Sequence, residues 1–226
     1  MKILSWNIWK GTFFDKVLTE LEKIDADILC LQEVKIDSNT NQAEKIAEKF
    51  GYNKVAFSVF TTDRHTPVYT QSNTILSKKK IESFEKKYLS TLLEYKKDST
   101  TEPRGALKVN IDDFTIICTH LGFSQHLLQP TNLQKKQLTE LKKLIPKQKC
   151  ILAGDFNSGP ESEIIKNLEK VIKNTDNSDT PTRNALKDGE GEGRIDYIFV
   201  TPDIKFKKFE IIKTDASDHN ILTLTL

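Results

Sequence analysis

Long hydrophobic runs are missing from this 226-residue chain, and no stretch approaches the ~20 apolar residues that cross a bilayer as a helix. A membrane-spanning helix is therefore excluded. The opening MKILSWNIWKG lacks the apolar core and small-residue cleavage site of a secretory signal. Cysteine is scarce: Cys30 in DILCL, Cys118 in TIICT and Cys150 in KCIL sit in apolar runs without CxxC spacing. Their odd number and placement predict buried free thiols in a reducing, cytoplasmic setting. An excess of charge of one sign is missing too, since 34 basic residues face 32 acidic ones for a net +2. Such a balance does not announce a nucleic-acid or membrane partner, so phosphate recognition has to come from local placement. Arginine is confined to Arg64, Arg104, Arg183 and Arg194.

What is present suits a folded α/β chain. The apolar fraction is 37% and the charged fraction 29%, with 12 Phe, 5 Tyr and 2 Trp to fill a core. At roughly 100–200 residues per domain, residues 1–226 are expected to form one domain. KILSWN, DILCLQE, KVAFSVF, NTILS, ALKVNI, FTIICTHL, CILAG, RIDYIFV, KFKKFEII and NILTLTL have strand composition. Helices are predicted for FFDKVLTELEKI, for NQAEKIAEKF up to Gly51, for NLQKKQLTELKKLI after Pro130 and Thr131, and from about Glu161 to Ile172. Loops are predicted from Thr61 to Asn73, Lys96 to Pro103 and Asn174 to Gly193. Consecutive strands and predicted hairpin turns, such as Asp112–Asp113, imply largely antiparallel sheets.

Several apolar runs end in a group that can bind metal or move a proton. Asn7 closes KILSW, Glu33 follows DILCLQ, His120 follows TIICT, and Asp155 and Asn157 follow CILAG. Taken singly, Glu33 is an ordinary strand end or cap, Asn7 a turn residue, His120 a structural histidine and Asp155 an Asx turn. Taken together, they can share one rim. In RIDYIFV, alternation puts Ile195, Tyr197 and Phe199 on one face and Asp196, Ile198 and Val200 on the other. A strand apolar on both faces is sandwiched, so Asp196 needs a partner, and His219 in SDHN is the candidate. Asp218 points differently from His219 if the segment is extended. The set is rich in oxygen and has no thiolate, which suits Mg²⁺ or Mn²⁺ better than Zn²⁺.

These residues carry a resemblance. LSWNIWKG, LQEV, SNTILSK, PRGALKV, THL, GDFNS, RIDYIFV and SDHN are similar, in order and across nearly the whole chain, to motifs of the endonuclease/exonuclease/phosphatase superfamily. The resemblance implies a four-layer α/β sandwich of two mostly antiparallel sheets packed face to face with helices outside. It implies Asn7 and Glu33 as metal ligands, with Asp218 near the same ion or a second one. Asp155 would deprotonate the attacking water, and Asn157 would hold that water or a phosphoryl oxygen. His120 would bind a phosphate oxygen or assist the leaving group. His219, backed by Asp196, would contact the phosphate, as a cationic donor in preference to a base.

The implied activity is Mg²⁺-dependent phosphodiester hydrolysis, most simply by a monomeric nuclease acting on DNA or RNA. A phospholipid such as sphingomyelin or a small phosphoester is the second substrate class, and a non-catalytic binding protein the third possibility. His120 stands where abasic-site endonucleases carry tyrosine, and RIDY stands where inositol 5-phosphatases carry Trp-Cys-Asp-Arg. Both departures argue against those branches. Arg104 at the head of PRGAL and Arg64 are candidate phosphate contacts, with Asn73 and Tyr69 as further substrate contacts and Tyr69 able to stack on a base. His65 could also line the cleft, whereas His126 is expected to be exposed. Arg194 is expected to be structural, and Trp6 and Trp9 are expected to pack rather than stack.

Overall fold

The computed structural model describes residues 1–62, 69–91, 102–124, 126–184 and 192–226, and the side chains of these apart from 60–62 and 69. Among the described residues, twelve strands form two six-stranded sheets. The first contains β1 (Lys2–Asn7), β2 (Ile28–Ile36), β3 (Asn53–Thr62), β4 (Tyr69–Ser77), β11 (Lys208–Ile212) and β12 (Ile221–Thr225), in the order β11-β12-β1-β2-β4-β3. The second contains β5 (Ser83–Tyr88), β6 (Gly105–Ile111), β7 (Phe114–His120), β8 (Cys150–Asp155), β9 (Lys173–Asn174) and β10 (Asp196–Val200), in the order β5-β6-β7-β8-β10-β9. Each sheet has one parallel pair at its centre, β1 with β2 and β7 with β8, and is otherwise antiparallel.

A parallel pair needs a crossover, and helices supply it. Helix α1 (Phe14–Ile24) joins β1 to β2, and α3 (Asn132–Lys142) joins β7 to β8. Helix α2 (Gln42–Phe50) and α4 (Glu163–Glu169) complete the outer layers. Their ends follow capping chemistry. Asn41 and Ser162 accept from the first-turn amides of Glu44 and Ile165, and Thr131 forms a capping box with Gln134. Gly51 ends α2 at a φ of 71°.

Strand alternation divides the apolar residues among three cores. Ile3, Cys30, Ile75 and Leu222 face Leu107, Cys118, Ala153 and Ile198 between the sheets. Leu4, Leu29 and Leu31 face Val17, Leu21 and Ile46 beneath α1 and α2. Ile117, Leu152, Tyr197 and Phe199 face Leu138, Leu141 and Ile165 beneath α3 and α4. Three cores between four layers make the four-layer sandwich expected above, and burying each large aliphatic side chain contributes about 1.5–3 kcal/mol. All three cysteines are free and buried. Among the described residues, no helix is long and apolar enough to cross a membrane.

Four expectations are corrected. Residues 69–73 are the start of β4 rather than loop, because the polar run Tyr69–Asn73 pairs on both sides, with β2 and β3. SFEKKY, for which no strand was expected, forms the edge strand β5, mostly solvent-facing and hence without apolar alternation. The fourth helix is shorter than 161–172, with Ser162 capping it and Glu169 ending it. Asn174 pairs with Phe199 instead of opening the loop.

Candidate active site

The C-terminal ends of both parallel pairs lie at one rim, where open α/β sheets collect ligands. Asn7 ends β1, Glu33 lies in β2, His120 ends β7 and Asp155 ends β8, opposite His120 in register. The antiparallel neighbours begin at the same rim: Asp196 starts β10 opposite Asp155, and Asp218 and His219 precede β12. A cleft of about 320 Å³ opens there, lined among others by Asn7, Glu33, Arg104, His120, Asp155, Asn157, Arg183, Asp218 and His219.

The backbone is distorted to present these groups. The pairing of β2 with β4 shifts register between Leu31 and Val34, and Glu33 sits in this bulge at a φ of 55°. Asn157 has a φ of 47°, and Trp9 and Lys10 have φ of 49° and 58°. Left-handed non-glycine residues cost about 1–3 kcal/mol each and persist where their surroundings hold them. Gly154, one residue before Asp155, has a φ of 156°, and its neighbour across the parallel pair is Thr119.

The side chains form one network. Asn7 Oδ1 accepts from the Trp9 N–H at 3.0 Å, which turns its Nδ2 toward Asp155 Oδ2 at 3.1 Å and Glu33 Oε1 at 3.4 Å. Asn157 N donates to Asp155 Oδ1 at 2.9 Å, and its Nδ2 reaches the Leu121 carbonyl at 3.0 Å and His120 Nε2 at 3.1 Å. Asp155 Oδ2 is 3.3 Å from His120 Nε2 and 3.9 Å from His219 Nε2. His219 Nδ1 pairs with Asp196 Oδ2 at 2.8 Å, the partnership expected from alternation in RIDYIFV. Behind it, Trp6 Nε1 donates to the His219 carbonyl at 3.0 Å, and Ser217 Oγ donates to the Asn7 carbonyl at 2.7 Å.

Burial and charge push the titratable groups apart. Burial, helped by the neighbouring Asp196 carboxylate, raises Asp155 to about 7. Burial alone would lower His219, but Asp196, Asp155 and Asp218 outweigh it and hold the imidazole at about 10. His120 moves the other way: burial and the positive charges of Arg104, His219 and Lys10 place it well below the usual histidine range. The two imidazoles of the cleft thus carry different charges at neutral pH, one cationic and one neutral.

Two places can be weighed for a metal ion. Ligand atoms of Asp155, Asp196 and His219 lie within 4.8 Å of one another, a group able to hold an ion. However, a cationic imidazole has no lone pair to give, and Asp196 Oδ2 already holds it. Among the described residues, Glu33 Oε2 is buried and lacks a hydrogen-bond partner, with Lys10 Nζ 3.9 Å away. An orphaned buried carboxylate oxygen next to Asn7, in a cleft that Asp218 also lines, fits a hard cation.

Other expected contacts fall elsewhere. Arg104 lines the cleft, with Glu102 3.3 Å from its guanidinium and its Nε unpartnered. Asn73 is buried, its amide nitrogen donates to the Gly105 carbonyl at 2.8 Å and so ties one sheet to the other, and it lines a small hollow shared with Glu33, Arg104 and His120. Arg64, His65 and the Tyr69 side chain lie outside what the structure describes. His126 is exposed. Arg194 is structural, bonded to the Ser178 and Asp176 carbonyls and lying 5.0 Å over the Tyr197 ring. Trp6 packs as expected, but Trp9 lines the cleft. Arg183 was not foreseen: its strap bridges Gly193 and His219 and delivers a buried guanidinium to the cleft. Its signal was arginine in a lysine-rich chain.

Comparison with known proteins agrees with this architecture. Residues 4–219 match the Endonuclease/Exonuclease/phosphatase family, and the chain belongs to it. A protein of that description from Beutenbergia cavernae is 21% identical, with a TM-score of 0.79 over 99% of this chain and 70% of its own. The human Nocturnin catalytic domain is 18% identical, with a TM-score of 0.72 over 99% and 93%. The 3′ phosphatase NExo from Neisseria, solved with a product DNA hairpin, is 18% identical, with a TM-score of 0.70 over 100% and 99%. No curated protein matches the chain. Members of the family are metal-dependent phosphoester hydrolases.

Proposed function

We propose that the protein is a Mg²⁺-dependent phosphodiesterase that hydrolyses DNA or RNA by in-line attack of an activated water. The observation that carries this is the orphaned Glu33 oxygen in the same cleft as a carboxyl poised near neutrality and a cationic imidazole. Glu33 and Asp218 would hold the ion, with Asn7 beside them. When bound, the cation supplies Lewis-acid stabilisation of phosphoryl and leaving oxygens. Asp155 takes a proton from the attacking water, its carboxyl being tuned to the working pH. Asn157, anchored on Leu121 and Asp155, orients that water or a phosphoryl oxygen.

His219, held cationic by Asp196, donates through Nε2 to the phosphate, and Arg104 adds a guanidinium on the same wall. His120, neutral and buried, faces the leaving oxygen. The Neisseria relative's product DNA hairpin supports a nucleic-acid substrate. A small phosphoester is the second reading, favoured by a cleft of only about 320 Å³.

The test is hydrolysis of single-stranded DNA and RNA oligonucleotides, p-nitrophenyl phosphate and sphingomyelin vesicles, with and without EDTA. Wild type is expected to cleave an oligonucleotide only without chelator, and Asp155→Ala and His219→Ala to lose at least 100-fold in rate, of the order found for catalytic acid-base and oxyanion groups. Activity that survives EDTA and both substitutions overturns the assignment. Turnover of lipid or monoester alone overturns the substrate.

A further inference from the structure

Ile8 to Thr12 form a tight turn in which Trp9, Lys10 and Gly11 all have left-handed φ, 49°, 58° and 62°. A bulky residue in that region is a steric outlier, and here the surroundings enforce it. The Trp9 N–H is tied to Asn7 Oδ1, and Gly11 N and Thr12 N bond back to Ile8 and Trp9 carbonyls at 2.8 and 3.0 Å. Buried Gln42 clamps the turn from α2: its Nε2 donates to the Lys10 carbonyl at 2.9 Å, and its Oε1 accepts from Lys35 N at 2.7 Å. A Cβ on Gly11 would lie 2.0 Å from that Gln42 nitrogen.

The product of this strain is an indole that lines the cleft and is only partly buried, two residues from Asn7. Phe13 stands 6.2 Å behind it, 42% exposed. Packing alone does not explain the placement, since the indole stays partly exposed where it lines a polar site. Beyond Lys10 lies a second hollow of about 440 Å³ that shares Lys10 with the cleft. Lys10, Lys35 and Lys45 line it, with Asp37 3.0 Å from Lys35 and Glu33 3.9 Å from Lys10.

Resting on the nucleic-acid reading above, we propose that Trp9 is the stacking platform for the base next to the scissile phosphate of a single-stranded nucleic acid, whose backbone continues into the lysine-lined hollow. Stacking needs a base freed from its own helix, which selects single strands or frayed ends. The indole offers every base a π-face, so the platform discriminates base from no base rather than one sequence from another. The hollow takes the next phosphates electrostatically.

Two short single-stranded oligonucleotides test it, one intact and one with an abasic tetrahydrofuran beside the cleaved linkage. Wild type is expected to favour the intact strand about 5- to 150-fold in KM, the range for one base on one aromatic. Trp9→Leu should erase that preference, and Trp9→Phe should keep part of it. In wild type, 2-aminopurine at the same position should lose fluorescence on binding, a readout that needs no variant to fold. Cleavage of both strands with an unchanged preference in Trp9→Leu, or unquenched 2-aminopurine in a bound complex, overturns the platform and leaves the nuclease assignment standing. Failure of wild type to bind or cleave either strand, with turnover of another phosphoester, overturns both.

Discussion

Gly154→Ala is a small change with a large expected effect. A Cβ built on Gly154 lies 2.0 Å from the Thr119 carbonyl oxygen, 2.9 Å from its carbon and 3.1 Å from its nitrogen. These are backbone atoms of the paired strand, so no side chain can swing away. Relief to an ordinary separation of about 3.5 Å requires β7 and β8 to part locally by roughly 1.5 Å. The next residues on the two strands are His120 and Asp155, whose side chains stand 3.3 Å apart. The variant is expected to lose about 1–3 kcal/mol to overpacking, with the φ of 156° adding strain. A displacement near 1 Å in the site should lower turnover about 100-fold. Urea unfolding followed by circular dichroism reads the first quantity, and initial rates on the cleaved oligonucleotide read the second. Gly51→Ala is the control: it has nothing within 4 Å and a φ of 71°, so it carries a backbone cost of about 1 kcal/mol and lies away from the cleft. A Gly154→Ala protein that is as stable and as fast as wild type would refute the claim that this contact sets the site.

Two further outcomes follow from the hydrogen bonds around β10. In metal-free protein, Asp196→Asn should lower the His219 pKa from about 10, because the main partner that offsets burial is lost; imidazole resonances titrated by NMR show it. Since the folded-state pKa is raised, the pair's stabilisation is complete below about pH 6.5 and fades as pH rises toward 10, so the stability gap of roughly 3 kcal/mol between wild type and variant should narrow over that window in urea melts. Thr182 Oγ1 accepts from both Ile195 N and Asp196 N at 3.0 Å. Thr182→Val orphans two buried amides and should cost about 2–4 kcal/mol, which Thr182→Ser should largely restore.

The features legible in the sequence were those that periodicity and burial control. The alternation in RIDYIFV placed Asp196 against an apolar face and demanded a partner, and His219 is there at 2.8 Å. The polar residues closing KILSW, TIICT and CILAG share a rim because the strands ahead of them are buried and therefore long and regular. β5 was illegible because it is an edge strand with lysines and glutamate toward solvent, and hence without an apolar face to alternate. The tie from Asn73 to Gly105 joins residues of different sheets, a contact no period along either strand announces. Trp9 and Arg183 depend on a left-handed turn and on bridges between loop segments, neither of which has a period.

The sheet topology accounts for the location of the chemistry. Each sheet places its parallel pair third and fourth in a row of six, so two crossovers bring four strand ends to one edge. One sheet contributes Asn7, Glu33, Asp218 and His219, and the other contributes Arg104, His120, Asp155, Asn157 and Asp196. The decisive pairs cross between them: Asn7 to Asp155 at 3.1 Å and His219 to Asp196 at 2.8 Å. Neither sheet alone brings the Glu33 and Asp155 carboxylates to one cleft. Their spacing is set by the central core, where Ile3, Cys30 and Leu222 meet Cys118, Ala153 and Ile198. Since interiors pack at crystal density, volume changes there move one half of the site against the other, while changes in either outer core chiefly move a helix.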